Sequence, residues 1–170
     1  MVSGTTAINT NTITSTGAQT YTGAVTLGTG NGTTVAVTNS GGTVWCGNTV
    51  NAATVGQQAL TVSGNATFAN TVAVGSADLK GVAYAINDSF ASGGTTSFAN
   101  SGTLTKNATG NITSTGAFST TGNVNLAANI TTTSTDLTIG GNLVIAEGAA
   151  PTLSTGAGTA GNILISGNTD

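Results

Sequence analysis

The chain of 170 residues carries 2 basic and 5 acidic side chains, no histidine and a formal net charge of -3. With no arginine and only Lys80 and Lys106 as cations, it offers a phosphate backbone almost no counter-charge, which argues against nucleic-acid binding. Asp78, Asp88, Asp136, Glu147 and Asp170 are too thinly spread to supply paired titratable groups, so the expectation is a protein that is not an enzyme and takes no cofactor.

Apolar residues make up 38% of the chain, while 26 glycines and 37 threonines fill the space that a globular domain gives to larger side chains. Disordered chains combine low hydrophobicity with high charge and abundant proline, and here Pro151 is alone and charge is scarce. Threonine, valine and isoleucine favour extended backbone, and Gly-Asn, Asn-Gly and Gly-Gly pairs punctuate the runs. The composition predicts an all-β protein of many short strands. No run of 18 apolar residues exists, so no membrane-spanning segment is expected. The first ten residues lack the basic and apolar regions of a signal peptide, which implies another export route or a piece of a longer exported chain. Cys46 is the lone cysteine, so neither a disulfide nor a zinc site is expected.

Taken in chain order, a short unit recurs: TYTGAV ending at Val25, WCGNTV at Val50, TFANTV at Val72, STTGNV at Val124, TIGGNL at Leu143 and TAGNIL with Ile163 in the apolar place. Leu104 in SFANSGTL is the best match between Val72 and Val124, with one extra residue. Four residues before the apolar position stand Tyr21, Cys46, Phe68, Thr120, Ile139 and Thr159, with Phe98 as the displaced member. A strand, a corner of small residues and another strand suit a coil of a parallel β-solenoid. Stacked coils then place Val25, Val50, Val72, Val124, Leu143 and Ile163 in one inward core column. In Val35-Ala36-Val37, Leu60-Thr61-Val62, Val72-Ala73-Val74 and Leu143-Val144-Ile145 the outer members are apolar, as one buried face requires. The interval from Val72 to Leu104 is the longest, so residues 75–97 are expected to leave the stack as a loop excursion or an irregular or additional coil, and residues 77–88 to hold a short helix or loop. At roughly 20–25 residues per coil, the chain is predicted to form a single right-handed parallel β-helix of about seven coils over residues 1–170.

A longer self-match reinforces the repeat: residues 13–28, ITSTGAQTYTGAVTLG, and 112–127, ITSTGAFSTTGNVNLA, agree at 10 of 16 positions. These phrases, with ALTVSGNATFANTVAVG, resemble the repeat region of filamentous-haemagglutinin-like large exoproteins, bacterial surface adhesins exported by two-partner secretion. The resemblance covers roughly residues 12–145. It implies a parallel β-helix stalk at the cell surface of a Gram-negative bacterium, and it carries no functional residue onto this chain, because the repeats are scaffold.

Four residues stand out as candidates for interaction. Asp78, Lys80 and Asp88 gather three of the seven charges into the longest interval, where a loop could carry binding. Alternation aims Trp45, the one tryptophan, outward between Val44 and Cys46, to contact sugar, a neighbouring rod or a local loop. Cys46 reads as a small buried hydrophobe. The six Asn-x-Ser/Thr sequons starting at Asn31, Asn65, Asn87, Asn107, Asn111 and Asn129 are what so much Asn and Thr produces by chance. The expected function is a structural stalk segment of an extracellular adhesin or surface filament, with self-association end to end and with host-cell or surface ligands as candidate partners. The alternative is a sheath or surface-layer subunit that polymerises through its solenoid edges. An ice-binding solenoid is a weaker third reading, since Thr14-x-Thr16, Thr103-x-Thr105 and Thr131-x-Thr133-x-Thr135 do not fall at one spacing.

Overall fold

The computed structural model describes residues 1–158 and 161–170. Every described strand pair is parallel, no helix occurs among the described residues, and the strands stack into a β-solenoid of about seven coils. Each coil lays down three short strands in the same order, so the rod has three faces. Three- to five-residue strands alternate a buried with an outward side chain, and glycine, asparagine and threonine make the corners between them.

The first face is an eight-stranded sheet built from Thr6–Ile8, Val25–Leu27, Val50–Ala52, Val72–Val74, Phe90–Ser92, Ile112–Ser114, Ile130–Thr132 and Leu153–Ser154. Its first inward row runs Thr6, Val25, Val50, Val72, Phe90, Ile112, Ile130, Leu153, in steps of 19, 25, 22, 18, 22, 18 and 23 residues. The second face stacks Thr12–Ser15, residues 34–38, residues 59–63, Ala77–Gly81, Thr96–Asn100, Phe118–Thr120, Leu137–Ile139 and Ile163–Ile165. On the third face lie Gln19–Tyr21, residues 43–46, residues 65–68, Tyr84–Ile86, Thr103–Lys106, Asn123–Leu126 and Leu143–Ile145. Thr34–Cys46 and Ala59–Phe68 each run through a corner and fuse the second and third faces into one 13-stranded sheet.

The predicted core column is therefore three columns. Val25, Val50 and Val72 do share a row on the first face, with Val50 and Val72 direct partners. Val124 and Leu143 are partners on the third face instead. Ile163 belongs to the second face, opposite Leu137, and is 46% exposed. The reason is that all three corners use the same small residues, so a strand-corner-strand phrase can describe any of them. TYTGAV, WCGNTV and TFANTV turn from the third face to the first, whereas STTGNV and TIGGNL turn from the second to the third. The companion series divides likewise. Tyr21, Cys46 and Phe68 are consecutive partners on the third face, and Phe98, Thr120 and Ile139 on the second; Thr159 lies outside the described residues. Even the long self-match is rotated by one face: Ile13, Tyr21 and Val25 lie on the second, third and first faces, Ile112, Thr120 and Val124 on the first, second and third.

Residues 75–97 contain neither a loop excursion nor a helix. They hold Ala77–Gly81, Tyr84–Ile86 and Phe90–Ser92 in ordinary coil positions, and the step from Val72 to Phe90 is 18 residues, among the shortest. The 32-residue interval arose from comparing a first-face residue with Leu104 on the third face. This segment in fact supplies the densest part of the core. Phe90 packs against Phe68 and Phe98 at centroid distances of 5.8 and 5.7 Å, and Phe98 against Tyr84 and Phe118 at 5.4 and 5.9 Å. All five rings are at most 2% exposed, and burying each such side chain contributes about 1.5–3 kcal/mol.

Candidate interaction surface

On the second face, Asp78 and Lys80 sit two residues apart on Ala77–Gly81, both outward, and their charged groups meet at 2.7 Å. Both side chains remain largely solvated, so the pair is worth at most about 1 kcal/mol. Asp88 is not beside them. It occupies the corner between the third and first faces, where its Oδ1 accepts the Ser89 N–H at 2.7 Å and its Oδ2 the Thr71 hydroxyl at 3.5 Å. Asn48 and Asn70 fill the same corner of the two preceding coils and accept the Thr49 and Thr71 N–H groups at 2.8 Å. Asp88 thus serves as a corner cap, and the three charges that cluster in sequence are divided between a face and a corner.

Trp45 points outward as alternation requires, 37% exposed between buried Val44 and Cys46. Its outward partners across the third face are Thr20 and Thr67. The indole folds over Gly47, where any Cβ would overlap the ring, so the glycine at this corner is what lets the tryptophan lie down. Further outward positions along the row are Ala85, Thr105, Asn125 and Val144.

Irregular corner lengths create the concave places. Between Thr38 and Thr43 one coil spends four residues at the second corner, while the next coil spends only Gly64. The result is a notch of about 360 Å³ between the ridge at 39–42 and the corner at Gly81 and Val82. Thr43 and Asn65 line both this notch and an adjoining depression of about 260 Å³ over Ala83 and Ala85, walled by Thr67, Thr103 and Thr105. Hydroxyl and amide groups dominate, and no charged side chain lines either hollow. Asn65 is itself committed to the fold, since its Oδ1 accepts the N–H groups of Val82 and Ala83 at 2.9 and 3.0 Å. Comparable asparagine bridges join Asn111 to Asn129, Asn129 to Thr152, Asn123 to Asn142 and Asn142 to Asn168.

Two buried groups bear on chemistry. Burial pushes the Cys46 thiol up to about 12, which removes the thiolate that nucleophilic or redox work would need. Lys106 lies on the inward row of the third face between Ile86 and Leu126, 1% exposed. Its ammonium donates to the carbonyls of Asn107 and Thr109 at 2.6 and 2.7 Å, inside a corner lengthened to residues 107–111. Burial lowers its pKa, and the charge of Asp88 pulls weakly the other way. The sequence reading missed this lysine, although its spacing of two from Leu104 signals the inward register. Among the described residues no three His, Cys, Asp or Glu side chains gather where a metal could be held, and no helix is long and apolar enough to cross a membrane.

The fold and surface define a class, that of three-faced parallel β-solenoids with small, weakly charged faces. Comparison with protein families, with curated proteins and with solved structures found no match.

Proposed function

We propose that the chain is a structural, non-catalytic segment of an extracellular stalk or surface filament, which continues axially by coil stacking and, in isolation, associates end to end. The observation that carries this reading is the state of the last coil: Ile163 is inward by register, yet it is nearly half exposed because no coil lies on it. At the other end Val2 bridges to Tyr21 and is 43% exposed. Parallel coils have unlike ends, so a second copy or further coils of a longer chain meet a complementary edge rather than an identical one. Neither end is guarded by a charged row or by proline within a strand, the devices that blunt exposed edges. The surface location rests on the phrase resemblance and on a composition suited to a repetitive exported scaffold.

Where such a rod meets a host-cell or surface ligand, the uncharged notch beside Gly64 and the hollow next to it favour an uncharged partner over an anionic one. Electron microscopy of the purified chain tests the main reading. Filaments one coil-stack wide, or short rods that lengthen with concentration, are the expected result; compact closed oligomers would refute it.

A further inference from the structure

Asn31 and Gly32 form the one Asn-Gly pair in the sequence, at the centre of the loop 28–33 between the first and second faces. Both are exposed, and Gly32 adopts φ +73°. The Thr33 N–H donates to the Gly30 carbonyl at 3.1 Å, closing a turn with asparagine at the second position and glycine at the third, the type II arrangement. The carboxamide oxygen of Asn31 accepts a hydrogen bond from Gln58 Nε2 at 3.2 Å. Gln58 is 1% exposed and is fixed by donating to the Thr29 carbonyl and accepting the Thr54 N–H, both at 3.0 Å. A buried, oriented donor therefore polarises the Asn31 Cγ carbonyl, while its amide nitrogen makes no bond among the described residues.

We propose that Asn31 is a site of spontaneous deamidation. The backbone nitrogen of Gly32 attacks Asn31 Cγ and a nitrogen–carbon bond forms. The bond from Cγ to Nδ2 breaks, and ammonia leaves carrying the proton given up by the Gly32 nitrogen. Water then adds to either carbonyl of the five-membered imide, giving aspartate or an isoaspartate whose main chain runs through the side-chain carbon. No oxidant or reductant is required, since one water enters and one ammonia departs.

Position in the fold selects this asparagine over the rest. Glycine presents no side chain to obstruct the attacking nitrogen. At Asn111, Asn129 and Asn142 the following residue is Ile, Ile or Leu, and its N–H is tied into the coil ladder, as in Ile112 N–H to the Asn129 carbonyl at 2.9 Å. The Gly32 N–H is held more loosely, by the Gln57 carbonyl at 3.2 Å, the far end of the ordinary range. What restrains the turn is Thr33, whose hydroxyl also donates to Thr29 Oγ1 at 2.6 Å. Opening of that turn controls the reaction. The product matters to the rod: a carboxylate at position 31 places a new negative charge against Gln58 Nε2, and the isoaspartate form adds a backbone atom that the Gly30–Thr33 closure cannot hold.

The test is to hold the full chain in warm, mildly alkaline buffer and follow it by intact mass and by peptide mapping, with an isoaspartate-specific methyltransferase as the probe for the rearranged product. Asn31 should convert several-fold faster than any other asparagine, Asn31→Gln should abolish the first conversion, and Thr33→Val should accelerate it. Conversion first at another asparagine, or a rate at Asn31 unchanged by Thr33→Val, would overturn the proposal.

Discussion

Leu137 and Ile163 are direct partners on adjacent coils of the second face, and although both occupy the inward row, Leu137 is fully buried and Ile163 is 46% exposed. The difference is the coil that covers one and not the other. Leu137→Ala should therefore cost about 2–5 kcal/mol through lost burial and the cavity left behind, whereas Ile163→Ala should cost under about 1 kcal/mol in the monomer. Denaturant unfolding of the two variants at low protein concentration measures the contrast; equal losses would mean that the last coil is covered in solution.

The aromatic cluster makes the middle coils the most costly to disturb. Phe98 touches Tyr84, Phe90 and Phe118, so Phe98→Ala is expected to lose about 3–5 kcal/mol. Protease should spare residues 75–97 and cut the loop at 53–58 instead, where Val55 is 92% exposed. First cleavage between Ala77 and Ser92 would contradict this packing.

Strand alternation was legible in the sequence because it is local: Val35, Val37, Leu60, Val62, Val72 and Val74 all point inward as the triplets require. So was the outward aim of Trp45. Which strands stack was not legible, because Gly, Asn and Thr serve all three corners and coil lengths vary between 18 and 25 residues. Phe90 was overlooked as the successor of Val72 for the same reason: NDSF has no glycine and does not resemble TFANTV, although Asp88 caps the corner as Asn70 does. The notch could not be read from any single phrase. It exists only because a four-residue corner lies beside the one-residue corner at Gly64.

That corner carries a prediction of its own. Gly64 has φ +124°, and a Cβ there would stand 2.6 Å from the Asn39 carbonyl oxygen. Gly64→Ala should destabilise by at least about 1–3 kcal/mol and shift the Asn39 ridge. Thermal melting together with hydrogen exchange at residues 39–43 checks both effects.

Alkaline pH should weaken the fold. Burial raises the Cys46 thiol from an ordinary 9.0 to about 12; burial also raises Tyr84, reinforced by the charge of Asp78, and Tyr21, reinforced by Cys46. Each is an acid that the unfolded chain deprotonates first, so above pH 9 the folded state binds more protons and stability falls as pH rises. Lys106 acts in the opposite sense: with its folded pKa lowered, the unfolded chain binds more protons between that value and 10.5, and stability rises across that window. Three groups outweigh one, and the net change is a loss. Cys46→Val should reduce the loss at about pH 10.5 by roughly 2 kcal/mol relative to the parent chain, measured by denaturant unfolding at about pH 8 and about pH 10.5. An identical pH dependence in the two proteins would place the thiol in contact with water.

Axial continuation through uncovered coils is tested most directly by sedimentation velocity of the parent chain and of Ile163→Asp across a wide concentration range. The substitution puts a charge on the open end of the second face, where a monomer tolerates it and a stacked neighbour does not. The parent should shift progressively to larger, more elongated species as concentration rises, while Ile163→Asp stays monomeric with the same circular dichroism and melting temperature. A parent chain that remains monomeric throughout, indistinguishable from Ile163→Asp, would contradict end-to-end stacking.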